Sequence, residues 1–81
     1  MTMSEQKLRS IMMDILILDE DQYSDNLSPY NVSTWDSLAM VEIAAAITRE
    51  FGCEVRVEET VEIESLADIK ALLRSKGIEL T

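Results

Sequence analysis

The residues of this chain best suited to chemistry are Asp36 and Ser37, within Ser33-Thr34-Trp35-Asp36-Ser37-Leu38-Ala39-Met40-Val41-Glu42-Ile43. A polar pair directly ahead of an apolar-periodic run reads as a helix start, with Asp36 as the N-cap of the helix that follows. Ser37 then displays a hydroxyl at the first helical position. The other serines have structural places: Ser4 and Ser10 fall in a first helix, Ser65 caps the last helix and Ser75 ends it. Ser33 is the nearest rival, but it lacks the Leu-x-x-Val-Glu pattern that follows Ser37.

Little else in the chain invites catalysis. It has no histidine, which removes the commonest general base and any Ser-His-Asp arrangement. Cys53, the single cysteine, has no histidine to activate it and reads as a half-buried packing residue. Zinc finds no ligand set. The acidic run Asp19-Glu20-Asp21 with Asp25 fails as a calcium loop. Tyr23 stands at its fifth position, Ser24 at the glycine position and Tyr30 at the bidentate glutamate position. Acid-pair work by Glu58 and Glu59 would need a cleft that so short a chain does not readily form, and no glycine-rich phosphate loop is present. The expectation is a protein without catalytic residues and without a metal.

The composition sets the frame for these residues. At 81 residues and 9.2 kDa, with 47% hydrophobic residues, the chain predicts one small domain over residues 1–81. Two glycines, one proline and few aromatics favour helix over strand, and no segment sustains period-two alternation between turn signals. Seven basic against sixteen acidic residues give a net charge of −9 and a pI near 4.2. Such a surface repels nucleic acid and anionic membranes and favours basic protein partners. The apolar run at 11–18 is interrupted by Asp14, so neither a signal peptide nor a membrane span is expected. A lone cysteine excludes an internal disulfide and fits a cytoplasmic protein. On that reading the sequons at Asn26 and Asn31 carry no meaning.

Periodicity places the elements. Leu8, Ile11, Met12, Ile15 and Leu18 form one stripe and predict a helix over 4–18, with Glu5 in its first turn. From Asp19 to Trp35 the period stops. A connection this long must be packed down by its own apolar residues, for which Leu27, Tyr30 and Val32 are the candidates. A second helix is predicted from Asp36 or Ser37 to Phe51, ended by Gly52, with Leu38, Val41, Ala45 and Phe51 buried and Ile43, Ala44 and Ile47 widening that side. A brief helical turn follows around 58–63. Ser65 and Asp68 suggest a capping box for a last helix whose stripe is Leu66, Ile69, Leu72 and Leu73, closed by Gly77. The predicted core comprises Leu8, Ile11, Ile15, Leu38, Val41, Ile47, Phe51, Leu66, Ile69 and Leu72.

The Asp36-Ser37-Leu38 string, the spacing from Ser37 to Phe51-Gly52-Cys53-Glu54-Val55 and the order of elements together resemble the acyl carrier protein family. The resemblance covers nearly the whole chain. It implies an all-α fold, a small antiparallel four-helix bundle with three main helices, a short third helix and a long first loop. It further implies that Ser37 carries a covalent 4'-phosphopantetheine arm, and that Asp36 both caps the helix and aids recognition by a phosphopantetheinyl transferase. A helix N-terminus, with free N–H groups and a positive dipole end, tolerates the phosphodiester of such an arm. The thiol belongs to the arm, which agrees with a chain lacking histidine. Leu38, Met40, Val41, Glu42, Glu50 and Glu54 are the expected partner-binding face. It would meet the transferase, an acyl-loading ligase or acyltransferase, and synthases with basic docking patches.

On this reading the protein is a monomeric, discrete acyl carrier, acting as a substrate shuttle in a specialised fatty acid, polyketide or related biosynthetic pathway. Two alternatives stay open: an aminoacyl or hydroxyacyl carrier loaded by a ligase, or an unmodified carrier-like acidic interaction subunit. The chain departs from the family pattern at Thr34, where glycine is usual, at Ala39, where an acid is frequent, and at Arg49, which interrupts the acidic stripe.

Overall fold

Four α-helices and one 3-10 turn make up the regular structure of the computed structural model, which describes residues 3–80. Helix α1 spans Met3–Leu16 and α2 spans Ser37–Phe51. The short α3 covers Val57–Thr60, and α4 runs over Leu66–Ser75. A 3-10 turn at Glu20–Gln22 lies in the connection between α1 and α2. Among the described residues there is no strand. The all-α four-helix fold with a long first loop is therefore as expected.

Helices α1 and α2 pack against each other and run antiparallel. Thr34, just before α2, bonds the end of α1 at Leu16, while Lys7, early in α1, reaches the Glu50 carbonyl at the far end of α2. Leu8, Ile11, Met12 and Leu16 of α1 meet Ala39, Ile43, Ala46 and Ile47 of α2 and Leu66, Ile69 and Leu73 of α4 in one core. Trp35, Leu27 and Leu80 complete it.

The buried side of α2 is not the one its larger side chains suggest. Leu38 and Val41 were expected in the core, yet they are 67% and 63% exposed, and Ala45 is exposed as well. The inward stripe is instead Ala39, Ile43, Ala46 and Ile47. Its alanines present little bulk toward α1, while Ile43 and Ile47 fill the space between. Similar one-position offsets occur elsewhere. Ile15, Phe51 and Leu72 were expected fully inside and are half-buried, with Leu16 and Leu73 taking the deeper places. Phe51 sits at the core's edge because Gly52 ends the helix there in the left-handed region, φ 68°.

Helix α1 stops two residues sooner than its stripe predicts. Ile17 adopts φ 56°, the left-handed conformation usually left to glycine. The Leu18 N–H then closes back onto the Met13 carbonyl at 3.0 Å. In the first loop, Leu27 is buried and Val32 half-buried, as expected of packing residues, but Tyr30 is 86% exposed. The loop is held instead by Trp35 and the half-buried Tyr23. It also joins α4 directly, through the Leu66 N–H to the Leu27 carbonyl at 2.8 Å. At α4 the Ser65 hydroxyl oxygen accepts the Asp68 N–H at 3.3 Å, while the Asp68 carboxylate accepts the Glu64 N–H at 2.8 Å. The box closes one residue before the cap.

Candidate functional site

Ser37 is the first residue of α2, and the local chemistry there is set by Asp36. Its backbone is extended (φ −116°, ψ −171°), and its Oδ1 accepts the Ala39 N–H at 2.8 Å. Its carbonyl accepts the Met40 N–H at 3.0 Å. With those two donors satisfied, the N–H groups of Ser37 and Leu38 have no helical carbonyl to meet and face outward at the positive end of a 15-residue helix. Ser37 is exposed, and its hydroxyl makes no hydrogen bond among the described residues.

The approach to Ser37 is tied down at three successive residues. Thr34 Oγ1 donates to the Leu16 carbonyl at 2.6 Å. Trp35 is only 3% exposed, and its backbone N–H donates to the Val32 carbonyl at 3.0 Å. The Asp36 N–H bonds the Thr34 carbonyl at 3.2 Å. Sequence reasoning singled out Thr34 only as a departure and did not use Trp35. The sole tryptophan, placed directly before a cap, was the available signal.

Of the six residues expected to form a partner face, Leu38, Val41 and Glu42 lie together beside Ser37, on the exposed side of the first turns of α2. Met40 turns inward and packs against the core. Glu50 lies on the α1 side of α2, in a groove shared with Lys7, Asp14 and Ile15. Glu54, beyond the helix, pairs with Arg56 at 3.9 Å. Val41 continues into a shallow apolar groove of about 270 Å³ between α2 and α3, lined also by Ala44, Ala45, Val55 and Val57. Ala39 turns inward and is buried, so an acid at that position would lose its water.

The electrostatics around the site are one-sided. Residues 10–48 contain no lysine or arginine but seven acids: Asp14, Asp19, Glu20, Asp21, Asp25, Asp36 and Glu42. Several acids have structural work elsewhere. Asp19 takes part in capping the 3-10 turn, Glu20 approaches Arg9 at 3.9 Å, and Asp25 holds Lys70 at 2.7 Å. Glu59 accepts the Arg56 N–H at 2.9 Å and pairs with Lys76 at 2.9 Å. These contacts keep its pKa below the usual glutamate value and leave it poorly suited to donate a proton.

The residues at Ser37 fit a phosphopantetheine arm. An unbonded, exposed hydroxyl can be esterified without breaking a native contact, and the free N–H groups at the positive end of α2 favour the phosphate charge.

Residues 6–73 match the phosphopantetheine attachment site family. The chain is 33% identical over 69 residues to an acyl carrier protein of Akkermansia muciniphila, covering 85% of this chain and 86% of that one. It is 32% identical over 71 residues to an acyl carrier protein of Petrotoga mobilis, covering 88% of this chain and 84% of that one. The chain therefore belongs to the acyl carrier protein family, whose prosthetic group is a covalently attached 4'-phosphopantetheine.

Proposed function

We propose that this protein is a discrete acyl carrier that holds acyl intermediates as thioesters on a 4'-phosphopantetheine arm esterified to Ser37. The observation that carries the reading is the Ser37 hydroxyl, exposed and unbonded at a helix start whose cap leaves two N–H groups facing outward. Asp36 keeps that helix end in place and offers its remaining carboxylate oxygen toward the transferase. The arm supplies the thiol. Leu38, Val41 and Glu42 form the docking face, an apolar pair beside an acid, suited to enzymes that present a basic rim around an apolar spot. Glu50 and Glu54 extend the acidic field that steers such partners rather than touching them at the serine.

The protein acts as a shuttle and not as an enzyme. With net charge −9 and, among the described residues, no helix long and apolar enough to cross a membrane, we place it in the cytoplasm as a monomer. Its departures at Thr34 and Ala39 favour a specialised fatty acid, polyketide or related pathway over housekeeping synthesis.

Incubation with coenzyme A, magnesium and a broad-specificity phosphopantetheinyl transferase should add one arm, read by intact-protein mass spectrometry. Ser37→Ala should abolish the addition and change stability by about 1 kcal/mol or less, since only an exposed hydroxyl is lost. Native protein that stays unmodified with several transferases would make the acidic interaction subunit the better reading.

A further inference from the structure

We infer that Thr34 is a positioning residue for the modification of Ser37, acting through a latch that refers the start of α2 to the end of α1. This rests on the reading of Ser37 as the attachment site. The Leu16 carbonyl belongs to the last turn of α1, where a helix leaves its acceptors unpaired. Leu16 is wholly buried, and Ile17 turns into the left-handed region immediately after it. No later amide of α1 therefore reaches that oxygen. The Thr34 hydroxyl reaches it instead, at 2.6 Å, from eighteen residues away in sequence.

Thr34 is bonded at a second point as well, because its own carbonyl accepts the Asp36 N–H at 3.2 Å. The side-chain bond fixes Thr34 to α1, and the backbone bond passes that placement to the residue capping α2. Trp35 is pinned between them by burial. The remaining hydrogen bonds of this approach are local: Trp35 to Val32, and Asp36 to Ala39 and Met40. Thr34 alone among residues 33–37 makes a hydrogen bond to another helix. Its hydroxyl thus sets where Ser37 is presented relative to the bundle, which a glycine at this position could not do.

In the transfer step, Ser37 Oγ forms a bond to the β-phosphorus of coenzyme A. The pyrophosphate P–O bond breaks to release adenosine 3',5'-bisphosphate, and the hydroxyl proton passes to a base of the transferase. That chemistry depends on the aim of one oxygen, whereas docking depends on Leu38, Val41 and Glu42. Loss of the latch should accordingly appear in kcat more than in KM.

The test compares Thr34→Val, which keeps the shape and removes the donor, with Thr34→Ser, which restores it, and Thr34→Gly, which frees the backbone. Transferase kinetics with coenzyme A and amide hydrogen exchange are measured on each, well below its melting temperature. Thr34→Val and Thr34→Gly should lower kcat by roughly tenfold with KM within about twofold, and should speed exchange at Trp35 to Ala39. Thr34→Ser should match the native protein in both. A native protein modified at Ser37 together with a Thr34→Val variant of unchanged kcat and unchanged exchange would overturn the latch alone. A native protein that takes no arm at Ser37 would overturn the attachment reading and the latch's role in modification with it.

Discussion

Replacing Tyr23 with phenylalanine removes one oxygen from a crowded junction of α1, the first loop and α4. The Tyr23 hydroxyl is buried and finds no hydrogen-bond partner among the described residues. Its ring, half-buried at the core's edge, lies 5.2 Å from the Arg9 guanidinium and 5.8 Å from the Lys70 ammonium. A buried hydroxyl without a partner costs about 1–3 kcal/mol of lost hydration, and the folded protein already carries that cost. Phenylalanine keeps the ring and both cation contacts. Because Tyr23 is only half-buried, the gain should fall at the low end, about 1 kcal/mol. For a domain of this size that is a rise of roughly 4–8 °C in Tm.

The pH dependence sharpens the test. Burial, and then the neighbouring Glu5 carboxylate, hold the Tyr23 pKa above its ordinary value. A group raised in this way contributes stability that is complete below its unfolded pKa, near 10, and is lost as pH rises through the folded value. Lys70 follows the same sign. Burial works against its charge, but the bonds to Asp25 and Glu5 outweigh burial and raise its pKa. Both proteins therefore weaken above pH ~10 through Lys70, but the native one alone weakens through Tyr23. Urea unfolding followed by circular dichroism at neutral pH and near pH 11 measures both effects. A phenylalanine variant less stable than the native protein at neutral pH, or a stability gap that fails to widen in alkali, would refute the reasoning.

Leu73→Ala, at a wholly buried site, should destabilise by about 2–5 kcal/mol, and Leu72→Ala by less than half as much. Equal losses in urea titrations would contradict the inward placement of Leu73. Ile17→Gly should stabilise by up to about 1 kcal/mol, because the left-handed strain it relieves exceeds the chain entropy that glycine adds; a lower Tm would count against the φ of 56°. Glu42→Lys should slow association with a basic partner enzyme more than it speeds dissociation. An unchanged on-rate in stopped-flow or surface-based binding would move docking away from the first turns of α2.

What the sequence could determine is local chemistry. Asp36 and Ser65 cap their helices and Gly52 ends α2 as expected, because a cap depends on atoms within a few residues of one another. The start of α2 at Ser37 was legible for the same reason: Asp36 before it, Leu38 after it and the distance to Phe51 are all spacing along one chain. The buried side of α2 was not legible. Leu38 and Val41 offer as good an apolar stripe as Ile43 and Ile47, and only the position of α1 decides which of them meets the core. The contacts that hold the site in place were equally hidden. Thr34 meets Leu16 across eighteen residues, and Lys70 meets Asp25 across forty-five. Neither pairing leaves a periodic mark, because each exists only after the helices have packed and brought an unpaired carbonyl or carboxylate within reach of a donor.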